Sequence, residues 1–279
     1  MKKDTQKRHS KIANDVMHYI YKYINTDINL DELSISLNIS KFHMHRVFKE
    51  EFEQNIYQTI KSIRLQKAVS LLLTNKNSTL SEVARVCGYS SQAAFIRVFK
   101  TKYNMTPKYY RNGGYKELIS FNCLKKFNLK AKIVKIEEQK AYYIRHKGDK
   151  ESFCKAWEKI DTWLLLKGYK KAKRINLFHH NIAIDLLDDS RCTAAVILDE
   201  NIKDTTFATL TMPSAVFAKF TFNGSYEEFK SFVIWVYFDW LINSGFEATT
   251  EPSFVVYNNT NYLINEGCLN LDFYICICM

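Results

Sequence analysis

Arg46, Arg97 and Gln92 are the side chains of this 279-residue sequence best suited to reading another molecule. Guanidinium and carboxamide groups make paired hydrogen bonds to guanine and adenine edges, and a helix that carries them fits the major groove of B-DNA. They stand in two similar stretches. NLDELSISLNISKFHMHRVFKEEF runs from Asn29 to Phe52, and TLSEVARVCGYSSQAAFIRVFKTKY from Thr79 to Tyr103. Leu30 matches Leu80, Glu32 matches Glu82 and Ser40 matches Ser90, each 50 residues apart. Past the serines the second copy carries one extra residue, so Arg46-Val47-Phe48-Lys49 falls against Arg97-Val98-Phe99-Lys100 at a spacing of 51. A repeat of this length is a structural unit used twice. The side turned outward holds Lys41, Phe42, His45, Arg46 and Lys49 in the first copy, and Ser91, Gln92, Ala93, Ile96, Arg97 and Lys100 in the second.

The elements that must position these residues are legible around them. Asn29 with Glu32, and Thr79 with Glu82, have the cap and back-reaching carboxylate that satisfy free amides at a helix start. Asn38 and Gly88 supply the tight turn, being residue types that take a left-handed backbone easily. Ser40 and Ser90 then cap a second helix, in which Met44, Val47, Phe48 and Phe52 recur at spacings of three or four, as do Phe95, Val98, Phe99 and Tyr103. An amphipathic helix over His9 to Asn25 packs on the first unit, after a charged stretch over residues 1–8 expected to be disordered. A longer helix from Ile56 to Leu73 joins the units. Being stiff, it fixes their separation, so one chain addresses two major-groove segments about one helical turn (~34 Å) apart. Some bending of the DNA is expected.

The residues now quoted resemble the DNA-binding domain of AraC/XylS-type transcription regulators over about Lys11 to Arg111. The diagnostic part is GYSSQAAFIRVFKTKYNMTPKYYR, with its Gly-aromatic turn, Phe-Lys, Thr106-Pro107 and Tyr110-Arg111. Asn104 replaces the usual Gly and must hold a left-handed turn itself. Carried over by position, Phe42, His45, Arg46, Gln92 and Arg97 are the base-reading candidates.

Charge agrees with that division. Residues 1–120 hold 20 Lys/Arg against 10 Asp/Glu, and residues 121–279 hold 20 against 19, so the first stretch carries +10 of the net +11. Phosphate binding requires such a surplus. Residues 175–279 hold 4 basic and 13 acidic side chains, which is unsuited to nucleic acid. Cysteines 87, 123, 154, 192, 268, 276 and 278 form no CxxC pair, indicating reduced thiols rather than zinc or a disulfide framework. The polar start, MKKDTQKRHSK, lacks a signal peptide's apolar run, and Ser231 to Ile242 is too short to span a bilayer. A cytoplasmic location follows as the expectation.

Residues 112–128 read as a linker between a domain over 1–111 and another over 129–279. The second half also repeats. The stretch from Lys140, KAYYIRHKGDKESFCKAWEKIDTWLLLKGYK, resembles SAVFAKFTFNGSYEEFKSFVIWVYFDWLINSGFE from Ser214, with Trp163 against Trp240 and Gly168-Tyr169 against Gly245-Phe246 at a spacing of 77. Each copy predicts a strand, a glycine turn, an amphipathic helix and further strands. Two copies make an antiparallel sheet with both helices on one face and a groove on the other. This pattern resembles the GyrI-like effector-binding domain, which implies a small hydrophobic or cationic ligand. Candidate ligand contacts are Tyr143, Trp163, Phe178, Trp240, Tyr257 and Phe273, within a wider aromatic set that includes Tyr142 and Tyr274. Related domains often place Glu where Val255 stands here, which puts an acidic contact in question.

The fold class read from the sequence is therefore multidomain: an all-α double helix-turn-helix domain, then an α+β GyrI-like domain. The function is a DNA-binding transcription regulator with double-stranded DNA, a small-molecule effector and RNA polymerase as partners, no membrane association, and no need to dimerise. Neither a cofactor nor a metal is called for. His179-His180, adjacent on a strand, would point to opposite faces. Two alternatives stay open. One is a protein partner held by the acidic C-terminal segment. The other is a hydrolase, although Glu266 and Cys268 form no convincing nucleophile and base arrangement.

Overall fold

The computed structural model describes residues 2–75, 77–118, 125–147, 150–169, 171–178, 183, 191–198, 207–249, 251–259 and 268–279. The chain divides into two compact units, 1–114 and 115–279. His179-His180 and Glu266, each singled out in the sequence, lie outside the described residues.

The first unit is all helix: α1 (Lys2–Tyr23), α2 (Leu30–Ser36), α3 (Lys41–Phe52), α4 (Ile56–Thr74), α5 (Leu80–Val86), α6 (Gln92–Tyr103) and α7 (Pro107–Arg111). α1 begins at Lys2, so the charged residues expected to be disordered continue the helix. Its apolar side, Ile12, Val16, Ile20 and Ile24, joins Met44, Val47, Phe48 and Phe52 of α3 and Ile56, Ile60 and Ile63 of α4 in one core. A second aromatic stack serves the other half: Phe95–Phe99 at 5.7 Å, Phe99–Tyr103 at 4.8 Å and Phe99–Tyr110 at 5.4 Å between centroids. Arg111 closes α7 onto the loop before α5, donating to the Ser78 carbonyl at 2.6 Å and the Ser78 hydroxyl at 3.2 Å.

The turns behave as their residue types require, with one surprise. Asn38, Gly88 and Asn104 are all left-handed, at φ 52°, 75° and 54°. Glu53, which ends α3 as Asn104 ends α6, is also left-handed at φ 54°. A glutamate there crowds its Cβ against the following carbonyl. Glu53→Gly is therefore expected to stabilise the chain by about 0.5–1 kcal/mol, read from the urea midpoint.

The second unit is α+β. Its strands are β1 (Lys132–Ile136), β2 (Gln139–Lys147), β3 (Ala172–Phe178), β4 (Arg191–Leu198), β5 (Ala208–Met212), β6 (Ala215–Gly224), β7 (Glu247–Ala248), β8 (Ser253–Tyr257) and β9 (Leu269–Cys278). Its helices are α8 (Lys150–Lys167), α9 (Tyr226–Trp235), a π turn (Val236–Trp240) and α10 (Leu241–Ser244). The antiparallel order is β1-β6-β9-β8-β3-β4-β2-β5, with β7 beside β9. The repeats are thus β2-α8-β3-β4 and β6-α9-α10-β8-β9, meeting at the β3–β8 pair. Left-handed glycines, Gly168 and Gly245, end the helical segment of each.

The strands preceding each repeat are exchanged. β1 leads into β2 yet pairs with β6, and β5 leads into β6 yet pairs with β2. Each lead-in is only two residues, 137–138 and 213–214. Such a link spans at most ~11 Å, so the sheet must curl until its ends approach. A hydrogen bond from Ser214 Oγ to Glu137 Oε2 at 3.1 Å ties the two links together.

Glu251, just before β8, is half-buried, and burial pushes its carboxyl up to about 7. A raised folded pKa leaves stability intact below about pH 4 and removes it as pH climbs through about 7. Glu251→Gln is expected to raise the melting temperature at about pH 8, by about 2 kcal/mol of stability, and not at about pH 5. Thermal melts of both proteins at both pH values check this.

Candidate functional site

Two helix pairs of the first unit carry the residues expected to face outward. In the second pair the capping box is complete, with Thr79 N–H donating to Glu82 Oε2 at 2.7 Å and Glu82 N–H to Thr79 Oγ1 at 3.2 Å. In the first, Asn29 Oδ1 accepts from the amides of Asp31 and Glu32 at 3.0 and 3.2 Å. Ser40 caps α3 by accepting from His43 N–H at 3.2 Å, while Ser91 rather than Ser90 caps α6, accepting from Ala94 N–H at 3.1 Å. The extra residue of the second copy therefore falls before the cap. From the caps onward the helices match at the spacing of 51 that Arg46 and Arg97 share.

Of the residues expected to face outward, Lys41, Phe42, Arg46, Lys49, Ser91, Gln92, Ala93, Arg97 and Lys100 are exposed, and His45 and Ile96 are half-buried. Phe42 is 79% exposed. Several of the others are lightly tethered. Arg46 meets His43 Nδ1 at 3.2 Å and Glu50 at 3.8 Å, Lys41 pairs with Asp31, and the Gln92 carboxamide accepts from the Ser81 hydroxyl of α5. Burial lowers the His43 pKa, and the nearby charges of His9 and Arg46 repel its protonated form and add to the shift. Tyr57, at the start of α4, was not anticipated; it is 66% exposed and stacks on His45 at 5.6 Å.

In the second unit the aromatic candidates separate by face. Trp163 packs with Tyr142, Trp157 and Leu164 beneath α8, and Tyr257 meets Trp157 at 5.7 Å. Phe273 lies against Phe232 at 5.8 Å, and Trp240 against Phe220 at 4.9 Å. Phe178 pairs with Cys192, which pairs with His146 on that same helix side. These five fill the layer between sheet and helices rather than a cleft. Tyr143 alone of the six faces away from the helices, among Ala141, Ile175, Leu177, Ala195, Phe217 and Phe254. Val255, opposite Phe273 and 1% exposed, also points to the helices.

The side away from the helices is itself largely a second core, because the exchanged strands curl the sheet over it. The expected open groove is reduced to a band where β6, β9 and β8 carry Lys219, Thr221, Asp272, Tyr274 and Val256. Strand register also places Cys192 opposite His146, whose Nε2 lies 2.9 Å from Asn176 Oδ1. With Cys192 and His146 at 3% and 9% exposure beneath α8, this group serves as a buried polar pair. Among the described residues no group of three His, Cys, Asp or Glu side chains could hold a metal ion. No helix among them is long and apolar enough to cross a membrane.

Comparison with known proteins separates the same two parts. Residues 33–113 match a helix-turn-helix domain family, and residues 130–277 match the GyrI-like small molecule binding domain. The xylose operon regulatory protein of Escherichia coli K12 is 38% identical over 96 residues, which are 34% of this chain and 24% of that protein. The regulatory protein SoxS of the same strain is 31% identical over 104 residues, covering 37% of this chain and 96% of SoxS. Among solved structures, the C-terminal domain of AraT, a response regulator from Geobacillus stearothermophilus, shows 29% identity with a TM-score of 0.34, covering 36% of this chain and 84% of that one. The chain thus spans about a quarter of the xylose regulator and nearly all of SoxS.

Proposed function

Because the chain belongs to the AraC/XylS-type transcription regulators and carries a GyrI-like small molecule binding domain, we propose that one molecule reads two successive major-groove segments and answers to an effector. The single observation behind this is the exposure of Arg46 and Arg97 at matching positions on two serine-capped helices. Phe42, His45, Arg46, Gln92 and Arg97 face base edges. Lys41, Lys49 and Lys100 neutralise phosphates, and Ser91 and Ala93 sit where the α6 N-terminus approaches the backbone. α4 joins both helix pairs in one compact unit, so a monomer suffices.

The effector is a small, largely hydrophobic molecule held on the sheet side away from the helices, near Tyr143, Phe254 and Tyr274. Its binding biases the protein between two states that differ in DNA occupancy or in recruitment of RNA polymerase. The chain acts in the cytoplasm and catalyses no reaction of its own. Selection from a randomised duplex pool, followed by anisotropy titration, tests the DNA reading. A preferred sequence is expected, bound with an affinity that falls steeply with salt, by a log–log slope of about 0.9 per phosphate contacted. Binding of all sequences alike would refute base reading.

A further inference from the structure

Beside the aromatic pair of the effector face sits a charge arrangement that no part of the DNA-reading account uses. Asp272 is 8% exposed, and its Oδ1 accepts from Thr221 Oγ1 at 2.7 Å. Its Oδ2 lies 2.7 Å from Lys219 Nζ. That ammonium is also 5.8 Å from the centre of the Tyr274 ring, which stacks on Phe254 at 4.6 Å and 8°. A positive charge held between a buried carboxylate and an aromatic face is the arrangement by which proteins recognise organic cations. Here the cation belongs to the chain. The Lys219 side chain keeps 28% of its exposure, so the place opens to solvent.

The carboxylate holds Lys219 above the usual lysine range, so the ammonium stays charged at any ordinary pH. A cationic ligand would have to displace it and leave it facing a second positive charge. An uncharged molecule meets no such repulsion and leaves the ion pair intact. The other repeat also holds a cation over a tyrosine, with the Arg145 guanidinium 4.9 Å over Tyr143 and donating to Thr193 Oγ1 at 3.2 Å. We infer that Lys219 is a specificity-determining residue that fills the cation subsite from within, so that the effector is uncharged and organic cations are excluded. The inference rests on the effector reading of this face.

A matched pair of probes, acridine and N-methylacridinium, separates charge from shape, because acridine is uncharged at mildly alkaline pH and its N-methyl derivative is a permanent cation. Titration of the full chain by fluorescence quenching is expected to show acridine binding at least about tenfold tighter than N-methylacridinium. Lys219→Met should raise affinity for the cation at least about tenfold, and K219M/D272N should lose that gain. Tyr274→Leu should weaken acridine, which places the probe on this face. A wild-type preference for the cation overturns the inference without recourse to any variant, as does a folded K219M with unchanged cation affinity. Binding with the wrong charge preference removes only the role of Lys219. Absence of either probe from wild type and from folded K219M removes the effector face as well.

Discussion

Replacing Arg46 and Arg97 together by alanine is expected to weaken binding to the preferred duplex by at least about 30-fold, since each bidentate contact to a base contributes about 1–3 kcal/mol. Both side chains are exposed, and they lie on separate helices with different neighbours, so the two losses should add and the fold should be untouched. The tethers of Arg46 in the free protein, to His43 and Glu50, are surface contacts of small energetic weight, so releasing them costs little. Loss of sequence preference must accompany loss of affinity. Lys49→Ala and Lys100→Ala should instead weaken all duplexes alike and reduce the salt slope by about one each. Anisotropy titrations with preferred and scrambled duplexes across a salt series separate these outcomes. Equal losses on both duplexes for R46A/R97A would demote the arginines to phosphate contacts.

Gly88→Val should strongly destabilise the first unit. Gly88 sits at φ 75°, a conformation that costs any other L-residue about 1–2 kcal/mol. A Cβ there would lie 2.7 Å from the Ile24 carbonyl oxygen and 2.9 Å from the Arg64 guanidinium. Arg64 holds the end of α1 by donating to Ile24 O at 3.1 Å and Thr26 O at 2.8 Å. The new side chain must push that guanidinium aside and leave polar groups unsatisfied, for a total of about 3–4 kcal/mol. Urea unfolding of the full chain followed by helical signal reports it. The equivalent turn residue of the first copy is Asn38, also left-handed, and Asn38→Gly should be neutral or mildly stabilising. A Gly88→Val protein as stable as wild type would mean that the turn rearranges at no cost.

Much of this was legible because capping and helical periodicity are local. Asn29, Ser40, Thr79 and Thr106 each cap the helix that follows, and Asn104 takes the left-handed turn its position demands. The choice between Ser90 and Ser91 was not legible, since either serine can cap and only the extra residue's placement decides. In the second unit both sheet faces are apolar, so no alternation of polar and apolar residues tells one face from the other. Tyr142 and Tyr143 are neighbours in sequence, and each is 3% exposed, on opposite faces. Five aromatic candidates therefore fell on the helix side. Nor does anything local reveal the exchange of β1 and β5, which narrows the expected groove. Lys219 and Asp272 come together only through the β6–β9 register, a relation between strands far apart in the chain.

Hydroxyl-radical footprinting of the selected duplex shows whether two matched helices of one chain enter successive major grooves. Wild type should protect two patches on one side of the duplex, about one helical turn apart. Arg97→Ala should erase one patch and leave the other. A single protected patch at saturation, or two patches lost together from Arg97→Ala while the protein remains bound, would contradict the account.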